Sequence, residues 1–257
     1  MWDILHRNIE RDYNLYKSYV IDRKYLFQSS LEKKLKDVFS FLYMFTLMVD
    51  DILNLELDNE IKNYISEVKA DLIVSLDLAN INYLKGSKQI LRSSIEEFFR
   101  FCLSIQRKKE YELNKRKGIY TADDSLKKLR SNIDTHKVGK MTHFTCEKFS
   151  QTPIESPIKN LVDLYSELSS FVHVNKTENL TAKNFLNEFK EIDQEKSSKF
   201  LSIYSQTVDL MTVITIYFYN YYPFNSVLTK RNWLNIKSKL SKTSQKTLET
   251  IEHFFNT

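Results

Sequence analysis

GSKQILRSSIEEFFRFCLSI, residues 86–105, reads as one helix with a broad buried face. At about 100° per residue, Leu91, Ile95, Phe98, Cys102 and Ile105 fall on one stripe, and Phe99 and Leu103 widen it on one side. A helix this apolar needs other helices against it. Arg92 falls in angle between Phe99 and Leu103, so it projects from the apolar sector, with Glu96 one turn later beside it. A guanidinium there needs a partner or water, because burying a lone charge is costly. Two readings follow. One is a structural ion pair with Glu96 or with another helix; the other is a cation held in a cleft to receive an anion.

Helical spacing continues on both sides of this stretch. Upstream, a helix is expected over about Asp3–Val20, with Ile4, Ile9, Tyr13, Tyr16 and Val20 on one face. A second runs from Ser29 or Ser30 to Leu53. Asp58 reads as the N-cap of a third, in which Ile61, Ile65, Val68, Leu72 and Leu76 recur at helical intervals. Gly86 offers it a stop, and Ser87 a fresh N-cap for the helix that follows. Downstream, residues 107–123 are polar and read as a loop or a frayed helix end. Thr121 with Asp124 resembles a capping box for a short helix over Ser125–Ile133. Thr135–Pro157 shows no period and holds Gly139 and two of the three prolines, so it reads as a long connection. Ser156-Pro157 then starts a helix reaching about His173. Further helices are expected at about Thr181–Ile192, Lys196–Tyr221, Lys230–Leu240 and Ser244–Phe255.

Composition agrees with helices and excludes several alternatives. Among 257 residues there are only three Gly and three Pro, too few for the tight turns of a sandwich or barrel. No glycine-rich phosphate loop is present. Cys102 and Cys146 stand outside any metal-ligand spacing, which predicts two reduced thiols, no metal and no cofactor. The apolar runs Val38–Val49 and Leu210–Tyr222 fall short of the roughly 20 residues a membrane span needs. With no signal-peptide pattern after Met1, a cytoplasmic chain without membrane contact is expected. The Asn-x-Thr matches at Asn175 and Asn179 are then fortuitous.

Charge is uneven. The chain carries +5, yet Arg107–Lys140 alone holds eleven Lys/Arg against five Asp/Glu, leaving the remainder about neutral. A basic excess in one segment, read here as loop-rich over about 107–157, is what contact with a phosphate backbone needs. Lys108, Lys109, Lys115, Arg116, Lys117, Lys127, Lys128 and Arg130 are the candidate nucleic-acid contacts, against the alternative of a merely solvated lysine-rich segment.

A second chemistry-bearing helix is LVDLYSELSSFVHVNK, residues 161–176. Leu161, Leu164, Tyr165, Leu168, Phe171 and Val172 make its apolar face. Tyr165, Ser169 and His173 follow one another at four-residue steps along the rim of that face. Such a ladder can position an imidazole, and it places any imidazolium at the negative end of the helix dipole. A histidine that merely caps the helix is the alternative. His6, His136, His143 and His253 have no partnered spacing.

RSSIEEF (92–98) together with YSELSSFVH (165–173) resembles the HEPN superfamily, helical bundles of bacterial toxins and phage-defence systems. The resemblance covers mainly about residues 60–220. It implies a HEPN-like core with extra N- and C-terminal helices, and a homodimer. Active members are metal-independent ribonucleases that place an Arg and a His of one Arg-x4–6-His motif at a dimer interface. His173 matches that histidine. The residues around Glu167, Leu168 and Ser169 include no Arg, so Arg92 would supply the cation from another helix, with Glu96 to orient it.

The expectation is therefore an all-α, multi-helix bundle built around long antiparallel helices, as one domain over residues 1–257. The candidate catalytic set is His173, Arg92, Glu96, Ser169 and Tyr165. The functional expectation is a HEPN-like defence or toxin-type protein acting as a metal-independent endoribonuclease. Its alternative is a non-enzymatic helical module that binds RNA or a partner protein of a defence or toxin–antitoxin system.

Overall fold

A computed structural model describes residues 2–172, 190–221 and 236–256. The described chain is all helical: α1 (Trp2–Ile21), a 3-10 turn (Leu26–Gln28), α2 (Glu32–Leu53), α3 (Asn59–Asn80), α4 (Leu84–Arg116), α5 (Asp124–Ile133), α6 (Val138–Lys148), α7 (Glu155–Val172), α8 (Gln194–Tyr221) and α9 (Lys242–Asn256). No strand forms among the described residues. None of the described helices is long and apolar enough to cross a membrane. The helix expected over Thr181–Ile192 lies almost wholly outside the described residues, as does most of that over Lys230–Leu240.

α4 is the hub, packing against α3, α5, α6, α7 and α8. Its predicted stripe is fully buried: Leu91, Ile95, Phe98, Phe99, Cys102 and Leu103 are each 0% exposed. α3 and α4 form an antiparallel hairpin. Ser75 and Ser87 bond to each other's carbonyls near the turn, at 2.8 and 2.6 Å, and Lys108 reaches Asp58 at 2.7 Å at the far end. α8 runs parallel to α2, because Lys34 meets Ser198 and Ser202 while the Tyr219 hydroxyl reaches the Met48 carbonyl at 2.8 Å. The Tyr204 hydroxyl donates to the Leu72 carbonyl at 2.7 Å, so each buried tyrosine of this pair finds an acceptor. Phe101 and Phe149 both meet the Phe218 ring edge-on, closing the core between α4, α6 and α8.

α9 begins on a side chain borrowed from α8. Asp209, 7% exposed, accepts from the Ser241 amide (3.1 Å), the Ser241 hydroxyl (2.7 Å) and the Ser244 hydroxyl (2.6 Å). Ser241 is also the N-cap, accepting from the Ser244 amide.

Four expectations are corrected. The break before α4 is made by Asn82, in the left-handed region at φ 59°, while Gly86 lies inside the first turn of α4 under the Tyr83 ring. The region 107–157 is not loop-rich: α4 continues to Arg116, and α6 occupies nearly half of the expected long connection. Ion pairs such as Lys108–Asp58 and Lys148–Glu110 hold this polar helix where no apolar stripe does. α5 is capped by Asp123, whose carboxylate accepts from the Leu126 amide at 2.8 Å, rather than by Thr121. α7 likewise starts at Glu155, two residues before the Pro157 expected to open it.

Candidate functional site

Arg92 and Glu96 on α4 meet Tyr165 on α7. The Arg92 guanidinium donates from Nε (3.2 Å) and Nη2 (3.1 Å) to the Tyr165 hydroxyl, which donates onward to Glu96 Oε1 at 3.0 Å. Arg92 Nη2 also lies 3.1 Å from Glu96 Oε1. The three groups thus close a small ring of hydrogen bonds across two helices seventy residues apart. The local reason is angular: at positions 92 and 96 the stripe of α4 gives way to polar residues, and Tyr165 occupies the matching rim of α7 beside buried Leu161 and Leu168. Arg92 and Glu96 side chains keep 24% and 18% exposure, so the ring lies at the edge of the core and solvent reaches it. Nη1 of Arg92 makes no hydrogen bond to a described residue.

Ser169 stands one turn along α7 and spends its hydroxyl on the Tyr165 carbonyl at 2.8 Å. That bond is the ordinary back-bond of a helical serine, so Ser169 lines the same rim without touching Arg92. His173 lies outside the described residues.

The surrounding charge contains groups that sequence reasoning did not single out. Lys88, one turn before Arg92, is half-buried; burial first, then the positive neighbours Lys199 and Lys196, push its ammonium below the usual lysine value, against Glu167 and Asp193. Lys199 pairs with Glu167 at 2.9 Å, and Lys196 with Asp193 at 2.9 Å. On the α3 side, burial raises the Asp71 carboxyl against a hydrogen bond from Ser93, and burial raises Glu97 against the nearby Arg100. Perturbed carboxylates and a perturbed lysine thus flank the ring on both sides, the electrostatic pattern expected where chemistry or ligand binding is placed. The four-residue steps of α4 carry Lys88, Arg92, Glu96 and Arg100 along one line. That line was the available signal, but the contribution of α8 leaves no mark in the sequence near it.

The eight basic candidates do not form one surface with this ring. Lys108 is paired with Asp58, Lys127 with Asp124 at 3.5 Å and Lys128 with Glu147 at 3.4 Å, while Arg130 is held by both oxygens of Glu60 and by Asp134. Burial pushes the Lys109 ammonium down to about 8, opposed by Glu110. Beside it, burial would raise Glu110, but hydrogen bonds from Lys148, Gln106 and Ser125 outweigh it and hold the carboxyl low. Lys115, Arg116 and Lys117 are exposed and in no ion pair among the described residues. They close the C-terminal turn of α4, where cations also compensate the helix dipole. Arg92 and Arg116 are 24 residues apart on one helix, about 36 Å at 1.5 Å per residue.

No group of three or more metal-ligating side chains is found among the described residues. The chain matches no family model, no curated protein and no solved structure in the comparisons made with known proteins.

Proposed function

We propose that the chain is a divergent HEPN-type protein of the defence or toxin class whose working centre is the α4–α7 crossing, and that it cleaves RNA without a metal. The observation that carries this reading is the direct contact of its two motif segments: Arg92 and Glu96 of the first bond to Tyr165 of the second. A generic helical bundle has no need to bring those two short segments together through polar groups.

The chemistry is transfer of a phosphodiester. The ribose 2′-hydroxyl attacks the adjacent phosphorus, a cyclic phosphate forms, and the 5′-oxygen leaves with a proton. His173 is the proton carrier in this scheme. Arg92, with Nη1 still uncommitted, stabilises the added negative charge at phosphorus. Glu96 and Tyr165 fix the guanidinium plane, which costs nothing at the moment of reaction because they already hold it. Lys88, Lys196 and Lys199 lie near this centre and raise its affinity for the backbone. The exposed tip at Lys115–Lys117 would touch nucleic acid roughly one duplex turn away.

A second reading rests on a specific observation: Arg92 is already neutralised by Glu96 and already hydrogen-bonded to Tyr165. An arginine already engaged through Nε and Nη2 suits a binding module that uses the crossing as a rigid support, with no cleavage.

One experiment separates them. Purified protein is incubated in EDTA with end-labelled tRNA, mRNA and ribosomal RNA. The nuclease reading expects products ending in cyclic phosphate that vanish in His173→Ala and in Arg92→Ala, with thermal midpoints within a few degrees of the parent. No cleavage of any substrate, or cleavage that survives His173→Ala, sinks it. A melting point that collapses in Arg92→Ala assigns the arginine to the fold, and His173→Ala then carries the decision alone.

A further inference from the structure

Two apolar surfaces of this chain are left uncovered, and they match. The first is on α1. Ile9, Tyr13, Tyr16 and Val20 share one face and are 56%, 55%, 48% and 39% exposed. Helices in proteins draw most of their stability from packing an apolar face, so a face of this kind calls for a cover. The second is a groove of about 570 Å³ between α2 and α3, lined by Phe27, Leu35, Phe39, Tyr43, Ile73 and Leu76. Phe39 and Tyr43 are each 56% exposed on its wall.

We infer that α1 of one copy lies in the α2–α3 groove of a second copy, and reciprocally, making a helix-exchanged homodimer. The lengths agree: Ile9 to Val20 spans eleven residues, about 17 Å, and the groove wall from Leu35 to Thr46 spans eleven residues of α2. The charges agree too. Glu32 and Asp77 line the groove against the single cation Lys36, and Lys17 flanks the α1 stripe with its ammonium 5.1 Å above the Tyr13 ring. α1 as a whole holds three acids (Asp3, Glu10, Asp12) against Arg7, Arg11 and Lys17. Zero net charge fits a protein groove and does not fit an anionic lipid surface, which selects basic helices.

A second copy is favoured over the chain's own groove by the way α1 is anchored. Tyr19 is 7% exposed with the Lys190 ammonium 4.6 Å over its ring, and Lys190 also pairs with Asp22 at 3.2 Å. These contacts pin the C-terminal end of α1 while its stripe stays clear of the groove beyond Phe27. With these contacts kept, the stripe remains out of its own groove and open to a partner. A patch that is self-complementary in this way generates a closed two-fold pair.

Sedimentation of the full chain from about 1 to 200 µM tests this. A concentration-dependent dimer is expected, weakened at least tenfold by Tyr16→Glu on α1 and separately by Tyr43→Glu in the groove. The two variants mixed should form a heterodimer tighter than either variant alone, because one of its two contacts joins an intact α1 to an intact groove. Both sites are exposed, so circular dichroism melts should match the parent; if Tyr43→Glu does not fold, Ile73→Gln replaces it. A monomer throughout the range overturns the inference. So does a dimer that neither substitution weakens, or a mixture that shows no rescue.

Discussion

The α4–α7 crossing and the α2–α3 face solve opposite problems. At the crossing, polar groups that the sequence leaves in an apolar sector find one another inside the chain: Arg92, Tyr165 and Glu96 satisfy each other within 3.2 Å. On the α2–α3 face, large apolar groups such as Phe39 and Tyr43 find nothing. Hydrogen-bonding groups are directional and costly to leave unmet, so a fold closes them internally. Apolar surface is non-directional and can wait for a partner. The first region is therefore the proposed site and the second the proposed assembly face.

Side-chain truncation gives the largest contrast. Leu168→Ala, at a fully buried position of α7, should cost about 2–5 kcal/mol in urea unfolding. Phe39→Ala should stay within about 0.5 kcal/mol of the parent at concentrations where the chain is monomeric. Equal losses at both would erase the distinction. Next in size, Tyr165→Phe removes one hydroxyl from the closed ring and should cost about 1 kcal/mol, leaving the Arg92–Glu96 pair behind. No loss would show that the ring is solvated rather than closed.

A pH-dependent effect tests a charge drawn into the far end of the same helix. The Lys109 ammonium sits near 8 in the folded chain against an ordinary 10.5, so between those values the unfolded chain binds the extra proton. Stability should then rise as pH climbs from about 8 toward 10.5, and the penalty is fully present below 8. Lys109→Met should melt higher than the parent at pH 7, with the gap closing by pH 10. A gap independent of pH would assign the effect to packing alone.

How far the sequence was legible follows the same division. The stripe of α4 and the rim of α7 were readable because aliphatic and aromatic residues recur there at helical steps, and Arg92 stood out by interrupting them. Glu96 was readable as a partner of Arg92 one turn along, but Tyr165 was not, since nothing near residue 92 reports what α7 brings. α6 was missed because two of its buried positions are Thr142 and Thr145, whose hydroxyls bond back to Gly139 and Met141 carbonyls and so hide as core. The outer third of α4 was left open between a loop and a helix end because ion pairs to Asp58 and Lys148 hold it, and ion pairs leave no periodicity. The basic excess over 107–140 was real as arithmetic, but four of its eight named cations are spent on carboxylates.

The carboxylate of Asp209 sets an order of events. Starting a helix is its unfavourable step, and the first turn of α9 is templated by an acceptor that exists only once α8 has formed. The last helix is consequently expected to form late. Pulse-labelled deuterium exchange during refolding should show amides of α8 protected while those around Leu248 and Ile251 still exchange, and Asp209→Ala should widen that lag.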